Sequence, residues 1–257
     1  MIRMISLLIL ALSMVSCTTM YTSLSANEIL PREGYVFVKK IVNLRRCGEN
    51  TCETGRISSA GSGFVIKITY KGSFVMTASH VCATDKDSLL AGVEAVDNLK
   101  VETLSGHFYK AVVLDHDPEI DACLMFAEDL VDDVEEVALA DSAPKEGDKV
   151  FNIASPYAIH YPNVVPIFEG RYIGERGFNG FYTFEAGPGS SGSMILNEKG
   201  ELIGLLHSVF RSMHSVVVSV KYDSLMQFIK KTLVQHSTSH MKELHDYNIY
   251  KSPSSKI

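Results

Sequence analysis

Most of the chain consists of short apolar runs, and a first group of them lies between Tyr35 and an acidic stretch that begins at residue 128. Gly, Asn, Asp and Pro separate the runs, and these residue types favour turns. The periodicity of a long helix is absent from this part of the sequence. The runs predict β-strands at residues 35–42, 63–70, 73–77, 108–115 and 122–126.

A second group of apolar runs follows the acidic stretch. Residues 128–148 are polar and rich in turn-forming residues, which indicates a surface connection between two halves. Two groups of about six strands predict an all-β protein with two β-barrels, because closing a sheet removes its exposed edges. We expect a first barrel at 35–130, a linker at 131–148 and a second barrel at 149–221. The second group predicts strands at 149–153, 164–173, 181–185, 193–196, 202–208 and 215–220.

Near the C-terminus the spacing of apolar residues becomes that of a helix. Residues 222–234 have apolar positions at helical spacing and Asp223 near the start, so they predict a helix that packs on a barrel. The tail at 235–257 is rich in Ser, His and Lys and has few large aliphatic side chains. We expect this tail to be flexible.

The first 17 residues have the layout of an export signal. Met-Ile-Arg precedes a nearly unbroken apolar run to Val15, shorter than the roughly 20 apolar residues that a membrane-spanning helix needs. Residues 14–17, Met-Val-Ser-Cys, resemble a bacterial lipoprotein signal, in which the cysteine, here Cys17, carries the lipid. Plain cleavage near Ser16, without a lipid, is the alternative. We therefore expect an exported protein that is periplasmic, anchored to a membrane as a lipoprotein, or secreted.

Charge and cysteine content narrow the partners. The net charge is −6, whereas nucleic-acid binding needs clustered Lys and Arg, so no nucleic-acid partner is expected. Cys47 and Cys52 flank a turn-like Gly-Glu-Asn-Thr stretch and predict a disulfide, with two free thiols as the alternative. No second closely spaced Cys pair accompanies them in the sequence, so no metal or cofactor is expected.

Two segments carry the residue types of nucleophilic catalysis. Residues 187–193, Gly-Pro-Gly-Ser-Ser-Gly-Ser, precede an apolar strand. Such a turn can present a hydroxyl and let backbone N–H groups converge on one point, as an oxyanion hole requires. Residues 74–82, Phe-Val-Met-Thr-Ala-Ser-His-Val-Cys, are an apolar strand that ends in a small-residue turn with His80. Either segment alone is common in β proteins, and their combination indicates catalysis.

These segments resemble those of the chymotrypsin-like serine proteases. Thr-Ala-Ser-His-Val-Cys at 77–82 is similar to the catalytic histidine segment of that family. Gly-Ser-Gly-Phe-Val-Ile at 61–66 and Gly-Ser-Ser-Gly-Ser at 189–193 resemble the HtrA/Deg and glutamyl-endopeptidase branches. The similarity runs from about Tyr35 to Val234 and includes no PDZ domain. It implies two six-stranded β-barrels with a C-terminal helix.

The resemblance also implies a triad in the chain order His, Asp, Ser. His80 would be the base and Ser191 the nucleophile, because Gly189 stands two residues before Ser191 and Gly192 follows it. Backbone N–H groups of Gly189 and Ser191 would form the oxyanion hole. Asp121 matches the acidic position, because it directly precedes the apolar residues Ala-Cys-Leu-Met at 122–125. The nearby Asp115 and Asp117 lie in a polar turn and fit that position less well.

The match also brings the remaining two cysteines close to the triad. Cys82 comes just after His80 and Cys123 just after Asp121, so a bridge between them is conceivable, with two buried thiols as the alternative.

The substrate-pocket cues contradict each other. Glu185 falls near the floor of the family's primary pocket, where a carboxylate favours Lys or Arg. In glutamyl endopeptidases a histidine in the wall of this pocket reads the substrate glutamate. His207 lies one residue after that position, so Leu206 is nearer to the pocket wall than His207.

The sequence thus predicts a serine endopeptidase that hydrolyses peptide bonds through an acyl-enzyme on Ser191. Its partner would be a protein or peptide substrate, and a monomer is expected. The alternative is a catalytically inactive chymotrypsin-fold protein that binds without cleaving.

Overall fold

The computed structural model describes residues 29–48, 51–84, 92–210 and 213–250. The predicted signal segment at 1–17, with Cys17, lies outside these residues, and so does the end of the predicted tail at 251–257.

The first six strands close into an antiparallel barrel. Along the barrel wall the strand order is β1-β2-β3-β6-β5-β4, and β4 pairs with β1 to complete the ring. Strand β3 is buried along its whole length, and β6 is buried except near its end, which explains why apolar side chains predominate in these two runs. The strands are β1 (Tyr35–Cys47), β2 (Cys52–Thr69), β3 (Gly72–Thr77), β4 (Val93–Thr103), β5 (Phe108–Asp117) and β6 (Ala122–Glu128).

Six further strands close a second antiparallel barrel, in the order β10-β11-β12-β9-β8-β7. The predicted all-β fold with two six-stranded barrels is therefore confirmed. The strands are β7 (Lys149–Ile153), β8 (Ile167–Arg176), β9 (Asn179–Thr183), β10 (Met194–Leu196), β11 (Leu202–Phe210) and β12 (Met213–Val220).

The first barrel extends beyond the strands that the sequence predicts. Strand β4 was not predicted, and β1 and β2 continue past the expected limits at residues 42 and 63. Residues 43–47 and 52–60 are largely exposed, as is the first half of β4. An exposed strand needs no apolar face, so the alternating pattern on which prediction depends is missing there.

Among the described residues, two α-helices accompany the barrels: a single turn α1 (Ser79–Cys82) and the long α2 (Tyr222–Tyr250). Helix α2 packs on β6 and β11 through buried side chains that include Leu225 and Ile229. It starts where predicted but continues past residue 234, because neither Gly nor Pro interrupts the sequence before Pro253. Of the helices in the described residues, none has the length and apolar character needed to cross a membrane.

The segment between the barrels is attached to both of them. The N–H of Val137 donates to the carbonyl oxygen of Val65 in β2 (2.9 Å). Leu139 forms a parallel bridge with Leu202 in β11, and Val137 and Ala140 are buried. The connection, predicted as a polar surface linker, thus also contributes buried residues between the two barrels.

Two disulfides join parts of the first barrel. Cys47–Cys52 links the far ends of β1 and β2, which lie opposite each other in the strand register. Cys82–Cys123 links the end of α1 to the start of β6.

Candidate active site

His80 lies on the short helix α1, directly after the buried strand β3. Val81 and Cys82 point into the core, so the neighbouring imidazole faces outward and its side chain is 51% exposed. The N–H of Ser79 donates to the carbonyl oxygen of Asp121 (3.2 Å). The buried Lys40 ammonium donates to the carbonyl oxygens of Ala83 and, at 3.4 Å, of His80. The turn that carries His80 is therefore held on both sides.

Asp121 occupies the tight turn between β5 and β6 with a φ of 57°, a left-handed conformation that Asp tolerates better than most residues. Its Oδ1 accepts the backbone N–H of His80 (3.0 Å), and its Oδ2 lies 2.7 Å from His80 Nδ1. Burial alone would raise the pKa of Asp121, but the hydrogen bonds from the side chain and backbone of His80 lower it below its ordinary value. Asp121 is thus an ionised acceptor for the imidazole.

Ser191 lies on the loop before β10, which packs against the first barrel. The carbonyl oxygen of Ser191 accepts the N–H of Ser62 (2.8 Å) in β2. Gly192 has a φ of 87°, and a Cβ there would lie 2.2 Å from the carbonyl oxygen of Ser62. A Cβ on Gly61 would lie within 2.9 Å of both Val81 and Ser191. Small residues on both sides therefore allow the loop to approach the helix that carries His80.

The Ser191 hydroxyl donates to the carbonyl oxygen of His207 (3.3 Å). Catalysis through His80 would require this hydroxyl to rotate from the His207 carbonyl towards His80 Nε2. The structure thus joins His80 to Asp121 directly and brings Ser191 to the same groove between the barrels.

The N–H of Gly189 is oriented by the bonds of its neighbours. The preceding carbonyl, of Pro188, accepts the N–H of Tyr157 (2.5 Å), and Gly189 itself has a φ of 97°. The C=O and N–H of a trans peptide point in opposite directions, so the Gly189 N–H points away from Tyr157.

The Ser191 N–H is oriented in the same way. The carbonyl oxygen of Ser190 accepts the N–H of Ser193 (3.1 Å), so the Ser191 N–H of that peptide points to the other side. Within the described part of the chain, neither the Gly189 nor the Ser191 N–H has a hydrogen-bond acceptor. Two such free donors can stabilise a negatively charged oxygen.

Comparison with known protein families matches residues 61–205, more than half of the chain, to the trypsin-like peptidase domain. The chain belongs to this family. The predicted resemblance to chymotrypsin-like serine proteases is therefore confirmed.

Two curated relatives are named "Probable periplasmic serine endoprotease DegP-like". The protein from Buchnera aphidicola is 24% identical over 175 residues, which cover 66% of this chain and 35% of the relative. The protein from Pseudomonas fulva is 29% identical over 157 residues, which cover 59% of this chain and 29% of the relative. The chain thus spans about a third of the length of these relatives.

Solved structures share the fold. A serine endoprotease from Yersinia pestis has a TM-score of 0.58 at 18% identity, covering 82% of this chain and 67% of its own. A variant of the HtrA-type protease AlgW with a decapeptide has a TM-score of 0.63 at 16% identity, covering 83% and 68%. At these identities the likeness concerns the fold alone.

The three predicted pocket residues of the peptidase domain are not brought together. Glu185 is exposed and lines a cleft of about 450 Å³ with Tyr157, Phe168 and three other residues. Leu206 is buried in the core of the second barrel, and its backbone N–H donates to the carbonyl oxygen of Ser193. Leu206 therefore does not face a cleft.

His207 lies beside the Asp121–His80 pair rather than at the cleft with Glu185. Its Nδ1 is 4.0 Å from Asp121 Oδ2, and its Nε2 is 3.2 Å from Asn179 Oδ1. Burial lowers the pKa of the His207 imidazole below its ordinary value, and the charge of Asp121 opposes this shift.

Sequence reasoning missed Ser62 as a link between the barrels. Its hydroxyl accepts the N–H of Ser155 (3.0 Å) and donates to the carbonyl oxygen of Gly189 (2.9 Å). A serine between two glycines in a strand was the available signal, because such a residue can approach another backbone closely. In the described ranges, no group of three or more His, Cys, Asp or Glu side chains could hold a metal ion.

Proposed function

We propose that this peptidase domain is a serine endopeptidase in which Ser191 attacks the scissile carbonyl, His80 acts as general base and Asp121 orients His80. The observation that carries the proposal is the pair of hydrogen bonds between Asp121 and His80, one from the backbone N–H of His80 and one from its Nδ1. With the Nδ1 proton held by the carboxylate, Nε2 is left unprotonated and can accept the proton of the nucleophile.

The reaction would proceed in two displacements. Ser191 Oγ, turned from the His207 carbonyl towards His80, would form a bond to the carbonyl carbon as its proton passes to Nε2. The free N–H groups of Gly189 and Ser191 would bind the oxyanion, at about 3 kcal/mol for one donor in comparable sites. His80 would then protonate the leaving amine, and water would hydrolyse the acyl-enzyme by the reverse proton path.

The proposal includes export from the cytoplasm. Two disulfides in the described part of the chain suit an oxidising compartment, and the two curated relatives are named periplasmic. The proposal also includes an export signal at residues 1–17, with Cys17 as its lipidated residue, and a monomeric protein.

For the substrate, we propose that Glu185 influences specificity in favour of cationic side chains. Its carboxylate is exposed beside a cleft with apolar walls, where it could pair with Lys or Arg. The imidazole of His207 faces Asp121 and Asn179 instead, so it is less suited to read a substrate glutamate.

A fluorophosphonate probe tests the catalytic proposal. We expect the folded protein to be labelled on Ser191 and to cleave a peptide library, and Ser191→Ala to lose both reactions. Ser208→Ala, which changes an exposed serine on β11, is the matched control and should keep both. A folded wild-type protein that is neither labelled nor active would favour the inactive binding protein instead. The library also tests Glu185, because Glu185→Gln should lose any preference for Lys or Arg at the cleaved bond.

A further inference from the structure

His207 is the extra residue of a β-bulge. In the pairing of β11 with β12, Leu206 is opposite Ser219 and Ser208 is opposite Val218, so the register shifts at His207. A bulge bends the strand and redirects the side chain of the extra residue. Here the redirected imidazole leaves the alternation of β11 and faces the first barrel.

This position lets one residue contact two members of the candidate triad. The carbonyl oxygen of His207 accepts the hydroxyl of Ser191, and its Nδ1 lies 4.0 Å from Oδ2 of Asp121. The side chain is only 15% exposed, and Asn179 Oδ1 lies 3.2 Å from Nε2 on its other side. His80 Nδ1 approaches the same Oδ2 atom at 2.7 Å. Two imidazoles therefore face one carboxylate oxygen.

The charge of His207 determines how this oxygen is shared. Neutral His207 leaves Oδ2 to the nearer His80. When protonated, His207 has N–H donors on both ring nitrogens, and these face Asp121 Oδ2 and Asn179 Oδ1. Asp121 and His80 are the charged or titratable groups that act on it. The other groups around it, the side chain of Asn179 and the backbone of Ser219, are uncharged.

We propose that His207 is a positioning residue for the Asp121–His80 pair, and that its protonated form competes with His80 for Asp121 Oδ2. This inference rests on the proposed serine endopeptidase function. Acid would then inactivate the enzyme through two protons, one on each imidazole, rather than through His80 alone.

The slope of the pH–rate profile tests this competition. On the acid side, loss through two protons lowers kcat/KM by up to about 100-fold per pH unit, and loss through one proton by about tenfold. We expect the steep slope in the wild-type enzyme and the shallow slope in His207→Asn, which keeps a hydrogen-bonding side chain but cannot take up a proton. His116→Asn is the matched control, because His116 is also near the site but contacts Ser79 rather than Asp121. It should keep the wild-type slope.

A second variant guards against misfolding of the first. Asn179→Ala removes the acceptor at His207 Nε2, so the steep part of the profile should begin at lower pH than in the wild type. Equal slopes in the wild type and a folded His207→Asn, with an unchanged profile in Asn179→Ala, would overturn the inference. Such a result would still leave an active, Ser191-dependent enzyme, whereas failure of the proposed function would abolish activity in the wild type itself.

Discussion

At the scale of single residues, Asp121 links the electrostatics of the site to its backbone geometry. Its left-handed φ of 57° turns the chain at the start of β6, so that one carboxylate reaches both the backbone and the ring of His80. The low pKa of Asp121, which these bonds produce, keeps the carboxylate charged. The charge therefore supports the tautomer that catalysis would need.

Asp121→Asn should abolish most of the activity while the protein remains folded. An amide can donate to His80 Nδ1 and so favour the tautomer with the proton on Nε2, which cannot act as a base. We expect kcat to fall on the order of 10⁴-fold, the size of this effect in related triads. Steady-state kinetics with a peptide substrate, together with circular dichroism, measure the two quantities.

A second carboxylate provides the control for that variant. Asp133 Oδ2 accepts from His107 Nδ1 at 2.9 Å, a pair that resembles the Asp121–His80 pair but contains no predicted catalytic residue. Asp133→Asn should leave kcat unchanged. A similar loss of activity in both variants would indicate a general effect of charge or stability rather than a catalytic role of Asp121.

The sequence predicted which residues form the candidate site better than it predicted the directions in which side chains near the site point. His80, Asp121 and Ser191 each sit in a turn next to an apolar strand, and such a local pattern is visible without coordinates. The direction of His207 depends on a bulge in β11, and the five residues of β11 before His207 are all buried, so no alternation of apolar and polar positions precedes the extra residue and reveals it. Its contact with Asp121 could not be predicted for that reason.

At the scale of elements, the Cys82–Cys123 disulfide joins the two elements that carry His80 and Asp121. Helix α1 ends at Cys82, and Cys123 is the second residue of β6. The Cys47–Cys52 disulfide instead closes the tip of an exposed hairpin. The two bridges therefore differ both in location and in the length of chain that they enclose.

Removing each disulfide should have a distinct effect on stability and activity. The two cysteines are 41 residues apart in the sequence for Cys82–Cys123 and 5 residues apart for Cys47–Cys52. A disulfide stabilises the fold by lowering the chain entropy of the unfolded state. Removing Cys82–Cys123 should therefore lower the free energy of unfolding by about 4 kcal/mol, and removing Cys47–Cys52 should lower it by about 2 kcal/mol. Paired Cys→Ala variants in guanidinium unfolding measure these costs. Only the Cys82/Cys123 variant should also lower kcat, and equal activity in both variants would contradict a role for this bridge in holding His80 near Asp121.

The sequence predicted buried elements more completely than exposed ones. Strand β3 was predicted within one residue at its start, because all its residues are buried and its centre, Phe-Val-Met at 74–76, is apolar. Strand β4 was missed, because Glu94, Asp97 and other polar residues in its exposed half hide its pairing with β1. Such a strand forms through backbone hydrogen bonds to a neighbour, and a single sequence does not reveal that neighbour.

At the scale of the whole molecule, the candidate site depends on contact between the two barrels. His80 and Asp121 belong to the first barrel and Ser191 to the second, so their spacing follows from how the barrels meet. Ser62 of β2 lies at this contact and is fully buried. Through its backbone and hydroxyl it bonds to Ser191, Gly189 and Ser155 of the second barrel.

Ser62→Ala should weaken both the fold and catalysis. The half-buried Gly189 carbonyl and the buried Ser155 N–H would each lose a partner, at about 1–3 kcal/mol for a fully buried group left unpaired. Displacement of the Gly189 peptide would also misplace an oxyanion donor, so we expect kcat to fall at least about tenfold with little change in KM.

Ser73→Ala is the matched control: Ser73 is equally buried, but its hydroxyl donates to the carbonyl oxygen of Leu130, which belongs to the same barrel. It should destabilise the protein in urea unfolding without lowering kcat. If both variants lost stability and neither lost activity, the nucleophile loop would hold its geometry without Ser62, and contact between the barrels through this residue would matter for stability alone.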